Sequence, residues 1–131
     1  MAEAIRRLAG DPPSPWEGPN GFCRMVVAGN LVILAGTTSV DPNGVVMGGT
    51  PYEQTREIVA KLERELARVG GSLANVVQTR IYVTDITRAE EVGRAHGEAF
   101  SLAPPAMSMV EVSALIDPRM LVEIEALALL G

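Results

Sequence analysis

The chain has 131 residues, 47% of them hydrophobic, and a formal net charge of -5. That length suits one domain able to bury its own core, and the acidic balance argues against nucleic acid as a partner, since such affinity rests on Lys and Arg neutralising phosphates. A single cysteine, Cys23, excludes an internal disulfide, and a single histidine, His96, excludes a His-rich metal site within one chain.

In chain order, residues 1–21 read as an irregular N-terminal arm, because Pro12, Pro13, Pro15 and Pro19 with Gly10, Gly18 and Gly21 oppose regular structure. Trp16 is a large ring in that arm and is expected to dock on the body or on a neighbour. Residues 22–131 form the single domain. Met25-Val26-Val27 and Leu31-Val32-Ile33-Leu34 are β-prone runs separated by Gly29-Asn30, which predicts a hairpin. Both runs are apolar on both faces, which predicts a sheet covered on each side. Asp41-Pro42-Asn43-Gly44 is a turn, with Val45-Val46-Met47 as a short return strand.

Thr50-Pro51-Tyr52-Glu53 opens a helix with a capping residue, a proline at the first position and a capping-box glutamate. Thr55, Ile58, Val59, Leu62, Leu66 and Val69 form its inner stripe, and Glu57 and Lys61 sit four apart on its outer side. Ser72 caps one turn before a strand over residues 76–83, with Thr79, Ile81 and Val83 on one face and Arg80 and Tyr82 on the other. Thr87-Arg88-Ala89-Glu90 reads as a second capping box, opening a helix with Val92, Ala95, Ala99 and Phe100 inward. His96 falls at the edge of that stripe. Residues 107–114 and 121–129 read as the last two strands.

The expected fold class is therefore α+β: a two-layer sandwich of a six-stranded mixed sheet with two helices on one face. The stretch spanning the two helices resembles a β-α-β unit, so part of the sheet is expected to be parallel. The apolar content, with a mean hydropathy of +0.20, suggests that another subunit covers some of the surface. No apolar run approaches a membrane span, and residues 1–10 lack the apolar core of a signal peptide, so the expectation is a cytoplasmic protein without a membrane partner.

Four segments together resemble the Rid family (reactive intermediate deaminases, also called YjgF-like or endoribonuclease L-PSP-like). They are Gly29-Asn30 with the apolar strand and Ala35-Gly36 that follow; residues 76–85, VVQTRIYVTD; Met109-Val110-Glu111-Val112; and residues 122–128, VEIEALA. The resemblance implies a chorismate-mutase-like fold and a homotrimer with small-molecule clefts between subunits. It also implies hydrolysis of 2-imino acids or their enamine tautomers to 2-keto acids and ammonia, with no metal or organic cofactor. Glu123 matches the glutamate that the family uses to orient the attacking water.

Two positions depart from that pattern. The family's best-known branch holds the substrate carboxylate with an arginine in a Pro-Ala-Arg-Ser context, where this chain has Pro105-Ala106-Met107-Ser108. A guanidinium makes two parallel charge-assisted bonds to a carboxylate and a thioether makes none. Phe22 stands where the branch has a tyrosine. The expected cleft is thus less polar, with Glu123 as the catalytic group and Phe22, Gly36, Thr37, Arg80, Tyr82 and Met107 as ligand-lining residues. Arg80 needs a partner, either Glu123 or Glu125. It serves as a structural ion pair or as a replacement positive charge toward the ligand.

These observations favour a trimeric small-molecule-binding protein without standard 2-imino acid deaminase activity, acting on another imine- or enamine-type metabolite through Glu123. A 2-iminobutanoate/2-iminopropanoate deaminase that holds carboxylates through Arg80, Arg24 or backbone N–H groups is the alternative. An RNA-cleaving protein is disfavoured by the acidic balance, the single histidine and an aromatic content of 4%.

Overall fold

The computed structural model describes residues 4–131. The strands are β1 (Arg6–Leu8), β2 (Met25–Ala28), β3 (Leu31–Thr37), β4 (Val76–Val83), β5 (Ala106–Glu111) and β6 (Val122–Leu129); the helices are α1 (Glu17–Asn20), α2 (Pro51–Ala67) and α3 (Ala89–Phe100). The six strands form one mixed sheet in the order β1-β2-β3-β6-β4-β5. Only the β4–β5 pair is parallel among these neighbours, and α3 makes the crossover between them, as the β-α-β reading requires.

The sheet has its six strands, but one of them is not the expected one. Val45-Val46-Met47 forms no strand; it contributes a single bridge, Val40 to Val46. The sixth strand comes from the arm: β1 pairs antiparallel with β2, Arg6 opposite Val27 and Leu8 opposite Met25. Pairing with β2 satisfies backbone groups that local sequence leaves open. The arm further contains the single helical turn α1, closed by Gly21 at φ +68°, a conformation glycine adopts without steric cost.

The hairpin turns at Gly29-Asn30, and Gly29 has φ +61°. Thr50 caps α2 by accepting from the Glu53 N–H at 3.1 Å. The Asn75 side chain accepts from the Ser72 N–H at 2.8 Å, which shapes the turn before β4. The second predicted capping box does not form. Thr87 instead donates to Asp85, which caps a short 3-10 turn over Ile86–Arg88 ahead of α3.

One face of the sheet packs on the helices. Thr55, Ile58, Leu62 and Leu66 of α2 and Val92 and Phe100 of α3 are buried there, against Ile81 and Val83 of β4 and Val122, Ile124, Ala126 and Ala128 of β6. His96 lies inside this core. It is 7% exposed, its Nε2 is 2.9 Å from the Thr79 hydroxyl, and its ring meets Phe100 at 4.6 Å between centroids. Lys61 leaves the outer side of α2. Its Nζ donates to the carbonyls of Thr38 (2.7 Å) and Val40 (2.9 Å), tying the loop after β3 to the helix. Burial, aided by Arg24 and Arg64, lowers its ammonium to about 8.

The opposite face is uncovered within the chain. Ile33, Val110 and Leu129 lie on it, between 41% and 48% exposed, with Arg80, Tyr82, Glu123 and Glu125 among them.

Leu62 is 1% exposed and Leu102 is 100% exposed. Leu62→Ala is expected to lower the unfolding free energy by about 2–5 kcal/mol. Leu102→Ala is expected to change it by no more than about 0.5 kcal/mol. Urea unfolding of the two variants checks both.

Candidate functional site

Glu123 stands near the start of β6, opposite Tyr82 on β4, on the uncovered face. It lines a cavity of about 400 Å³ with Phe22, Ala35, Gly36 and Met120; Trp16 and Ser14 of the arm close one side. Burial pushes the Glu123 carboxyl above its ordinary value; the Arg24 guanidinium opposes the shift and Glu125 adds to it. A carboxyl held this way exchanges a proton more readily near neutral pH than a solvated glutamate does.

Gly36 is what makes room for that carboxyl. A Cβ at residue 36 would come within 2.8 Å of Glu123 Oε2, so any side chain there would displace the carboxylate. The backbone is set by a register shift in β3 between Leu34 and Thr37, where the chain pairs with β6. Simple alternation from Ile33 would carry Thr37 to the uncovered face. The extra residue reverses that, so that Gly36 meets Glu123 while Thr37 turns into the core, 2% exposed, its hydroxyl donating to Ala35 O at 2.8 Å. Thr38 lines the cavity in its place.

Arg24, which the sequence offers only as one of several alternative carboxylate-holding groups, sits at the same cavity. It is 8% exposed, and it donates from one guanidinium nitrogen to the Gly36 carbonyl at 2.6 Å. Burial lowers its pKa, and the charges of Glu17, Glu65 and Glu123 oppose that shift. Glu17 is itself held by the N–H groups of Gly10 (2.8 Å) and Ser14 (2.6 Å). Burial acts to raise the Glu17 carboxyl, but those bonds and Arg24 outweigh it and leave it below the usual range. The signal for Arg24 was present: one charge inside the apolar run Phe22-Cys23-Arg24-Met25-Val26-Val27.

The remaining expected residues are dispersed. Phe22, Gly36 and Glu123 border the one cavity. Arg80 lies with Gln78, Ile33 and Glu125 at a smaller one of about 130 Å³. Its guanidinium is 3.7 Å from Glu125 Oε1, directly across the β4–β6 pair, with the arginine side chain 58% exposed. Tyr82 donates its hydroxyl to the same Glu125 oxygen, and that bond keeps the phenol protonated to higher pH. Glu125, not Glu123, is thus the partner of both. Met107 is on the edge strand β5 beside Thr79 and borders neither cavity. Cys23 is half-buried, its thiol 3.5 Å from Met25 O.

The two carboxylates of β6 therefore have different surroundings. Glu125 is satisfied by a phenol and a guanidinium on its own sheet face, while Glu123 looks into the cavity. Among the described residues there is no group of three or more His, Cys, Asp or Glu placed to hold a metal ion, and no helix is long and apolar enough to cross a membrane.

A family model described as Endoribonuclease L-PSP matches residues 16–130. The uncharacterized protein SCO2049 of Streptomyces coelicolor is 37% identical over 130 residues, 99% of this chain and 96% of that protein. RutC family protein PH0854 of Pyrococcus horikoshii is 32% identical over 108 residues, 82% of this chain and 85% of that one. Among solved structures, Rv2704 of Mycobacterium tuberculosis is described as a member of the highly conserved YjgF/YER057c/UK114 family. It shares 43% identity at a TM-score of 0.87, covering 97% of this chain and 100% of that chain. YyfA of Yersinia pestis, described as of the conserved Rid protein family, gives 26% identity and a TM-score of 0.86 over 97% of this chain and 100% of that chain.

The displaced Glu123 pKa has a stability consequence. In the unfolded chain this group titrates at its ordinary value of 4.5, and in the native state it keeps its proton to higher pH. Between the two values the native state binds more protons, so this group's contribution to stability falls as pH rises through that window. Glu123→Gln is expected to be more stable than wild type at about pH 8, with the gain shrinking toward about pH 4. Urea unfolding of both proteins at the two pH values checks this.

Proposed function

This chain belongs to the endoribonuclease L-PSP family, the Rid/YjgF group of proteins, and from that premise we propose that it is a homotrimeric, small-molecule-binding member whose clefts lie between subunits. The cleft takes an imine, an enamine or a related electrophile without a carboxylate head group, and Glu123 supplies the water-activating carboxylate.

The observation that carries this reading is the setting of Glu123. It is a partly buried carboxyl with a raised pKa, in a cavity walled by Phe22, Met120 and the Gly36 backbone. In the proposed reaction Glu123 takes a proton from water as the hydroxyl adds to the C=N carbon. The imine nitrogen takes a proton from solvent as its π bond breaks. Glu123 then returns its proton to the nitrogen of the carbinolamine, the C–N bond breaks to release ammonia, and the hydroxyl proton passes back to solvent to leave a carbonyl.

The absence of a carboxylate clamp rests on three placements. Met107 occupies the position that carries an arginine in the best-known branch. Arg80 is spent on Glu125 at a different cavity. Arg24 lines the cleft, donates to Gly36 O and shares its charge among Glu17, Glu65 and Glu123, with its Nε left unpaired. The proposed trimer is supported by the uncovered apolar face with Ile33, Val110 and Leu129.

One observation favours a second reading, a 2-iminobutanoate/2-iminopropanoate deaminase: the Arg24 guanidinium does border the Glu123 cavity. RNA cleavage is less well supported, since the one histidine is in the core, bonded to Thr79.

The wild-type protein is expected to leave ammonia release from freshly generated 2-iminobutanoate at its uncatalysed rate. It is expected to accelerate hydrolysis of a neutral alkyl imine, an acceleration that Glu123→Gln reduces by about 10²–10⁴-fold. Rapid turnover of 2-iminobutanoate, lost in Glu123→Ala, would establish the second reading instead. In sedimentation equilibrium the chain is expected to run as three copies and Ile33→Lys as one folded copy.

A further inference from the structure

A second cavity, of about 220 Å³, lies between the arm segment Gly10–Ser14, the loop after β3 and α2. Three buried side-chain polar atoms lack a hydrogen-bond partner among the described residues: Ser14 Oγ, Arg24 Nε and Ser39 Oγ. All three residues line this cavity; Ser14 and Arg24 also border the Glu123 cleft, while Ser39 belongs to this cavity alone. Ser39 is 1% exposed and Arg24 8%. Buried polar atoms are nearly always paired in folded proteins, so orphans on residues that line one cavity, Ser39 above all, mark a place where something polar binds.

The unspent groups are mostly donors. Lys61 has used two of its three N–H groups on Thr38 O and Val40 O. Arg64, one turn along α2 from Lys61, lines the cavity, is exposed, and makes no hydrogen bond or ion pair among the described residues. Three of the five acids alongside are committed: Glu17 accepts from Gly10 and Ser14, Asp41 from the N–H groups of Asn43 and Val45, and Glu65 pairs with Arg68 at 2.5 Å. The other two, Asp11 and Glu57, are exposed to solvent and make no hydrogen bond or ion pair among the described residues. The cavity holds several times the roughly 30 Å³ that one water occupies in the liquid. A ligand that answers these groups is compact and rich in acceptor oxygens.

We propose that this cavity is a second binding site, for a small oxyanion (a phosphate or a carboxylate), with Arg24 Nε, the Ser39 hydroxyl, Lys61 Nζ and the Arg64 guanidinium as its donors. It stands apart from the reading of the Glu123 cleft and does not depend on it.

The test titrates inorganic phosphate and acetate separately into the full-length chain at constant ionic strength, balanced with chloride, and follows backbone amide shifts by NMR. Saturable shifts at Ser39, Val40 and Lys61 with either oxyanion are expected. A preference for phosphate assigns the site to phosphorylated metabolites, and one for acetate to carboxylic acids. Ser39→Ala and Arg64→Gln are each expected to weaken binding about tenfold, roughly the loss of one strong hydrogen bond. Ser39→Ala without the oxyanion is expected to be at least as stable as wild type, because it removes an unpaired buried hydroxyl. Shifts no larger than those with chloride, shifts that do not saturate, binding unchanged in both variants, or shifts confined to Phe22 and Met120 beside Glu123 would each overturn the proposal.

Discussion

The structure around the site depends on one buried guanidinium. Removing Arg24 from water costs far more than any single contact returns, unless the charge is paired and its N–H groups are used. The chain meets that demand from four directions, at every point but Nε. β3 offers the Gly36 carbonyl, and the arm, α2 and β6 bring Glu17, Glu65 and Glu123 around it. The Glu17 carboxylate, whose charge acts on Arg24, also gathers the Gly10 and Ser14 N–H groups, so the loop beside the Glu123 cleft is ordered around the same charge. The two cavities lie against this one side chain.

Glu123 shows how competing effects are settled there. Proximity to Arg24 favours the carboxylate and burial favours the acid, and burial wins. A glutamate fully paired with Arg24 would be a structural anion with a low pKa. One left half-buried beside a guanidinium that is shared among three acids can hold a proton and release it. Two residues further along the same strand, Glu125 meets Arg80 and Tyr82 and is consumed by them. Local pairing, rather than residue type, separates the reactive carboxyl from the structural one.

The sequence made the main elements legible because burial imposes a period. The stripe of α2, the alternation of β4 and the two carboxylates on one face of β6 all follow from that. What it concealed had no period to reveal it. Arg6–Leu8 is three residues long and largely polar, and it is a strand only because β2 has a free edge beside it. Residues 45–47 have strand composition but no neighbouring edge. Thr37 was misplaced because the irregularity after Leu34 reverses facing, and nothing in Ala-Gly-Thr-Thr announces it. Lys61 looked like half of a surface ion pair; its long stem let the ammonium reach two carbonyls of the loop instead. Family resemblance supplied Glu123, Phe22 and Gly36, which the fold does bring together. It did not single out Arg24 from the other carboxylate-holding alternatives, Arg80 and backbone N–H groups; the setting of Arg24 follows from what surrounds it in space.

The most direct measurement is a crystal structure of the assembled protein grown with excess 2-oxobutanoate, a keto acid of the kind that a 2-imino acid deaminase releases. The account predicts no carboxylate head group within hydrogen-bond reach of a guanidinium in the Glu123 cleft. A keto acid clasped there by Arg24, or by any arginine of an adjoining subunit, would contradict it.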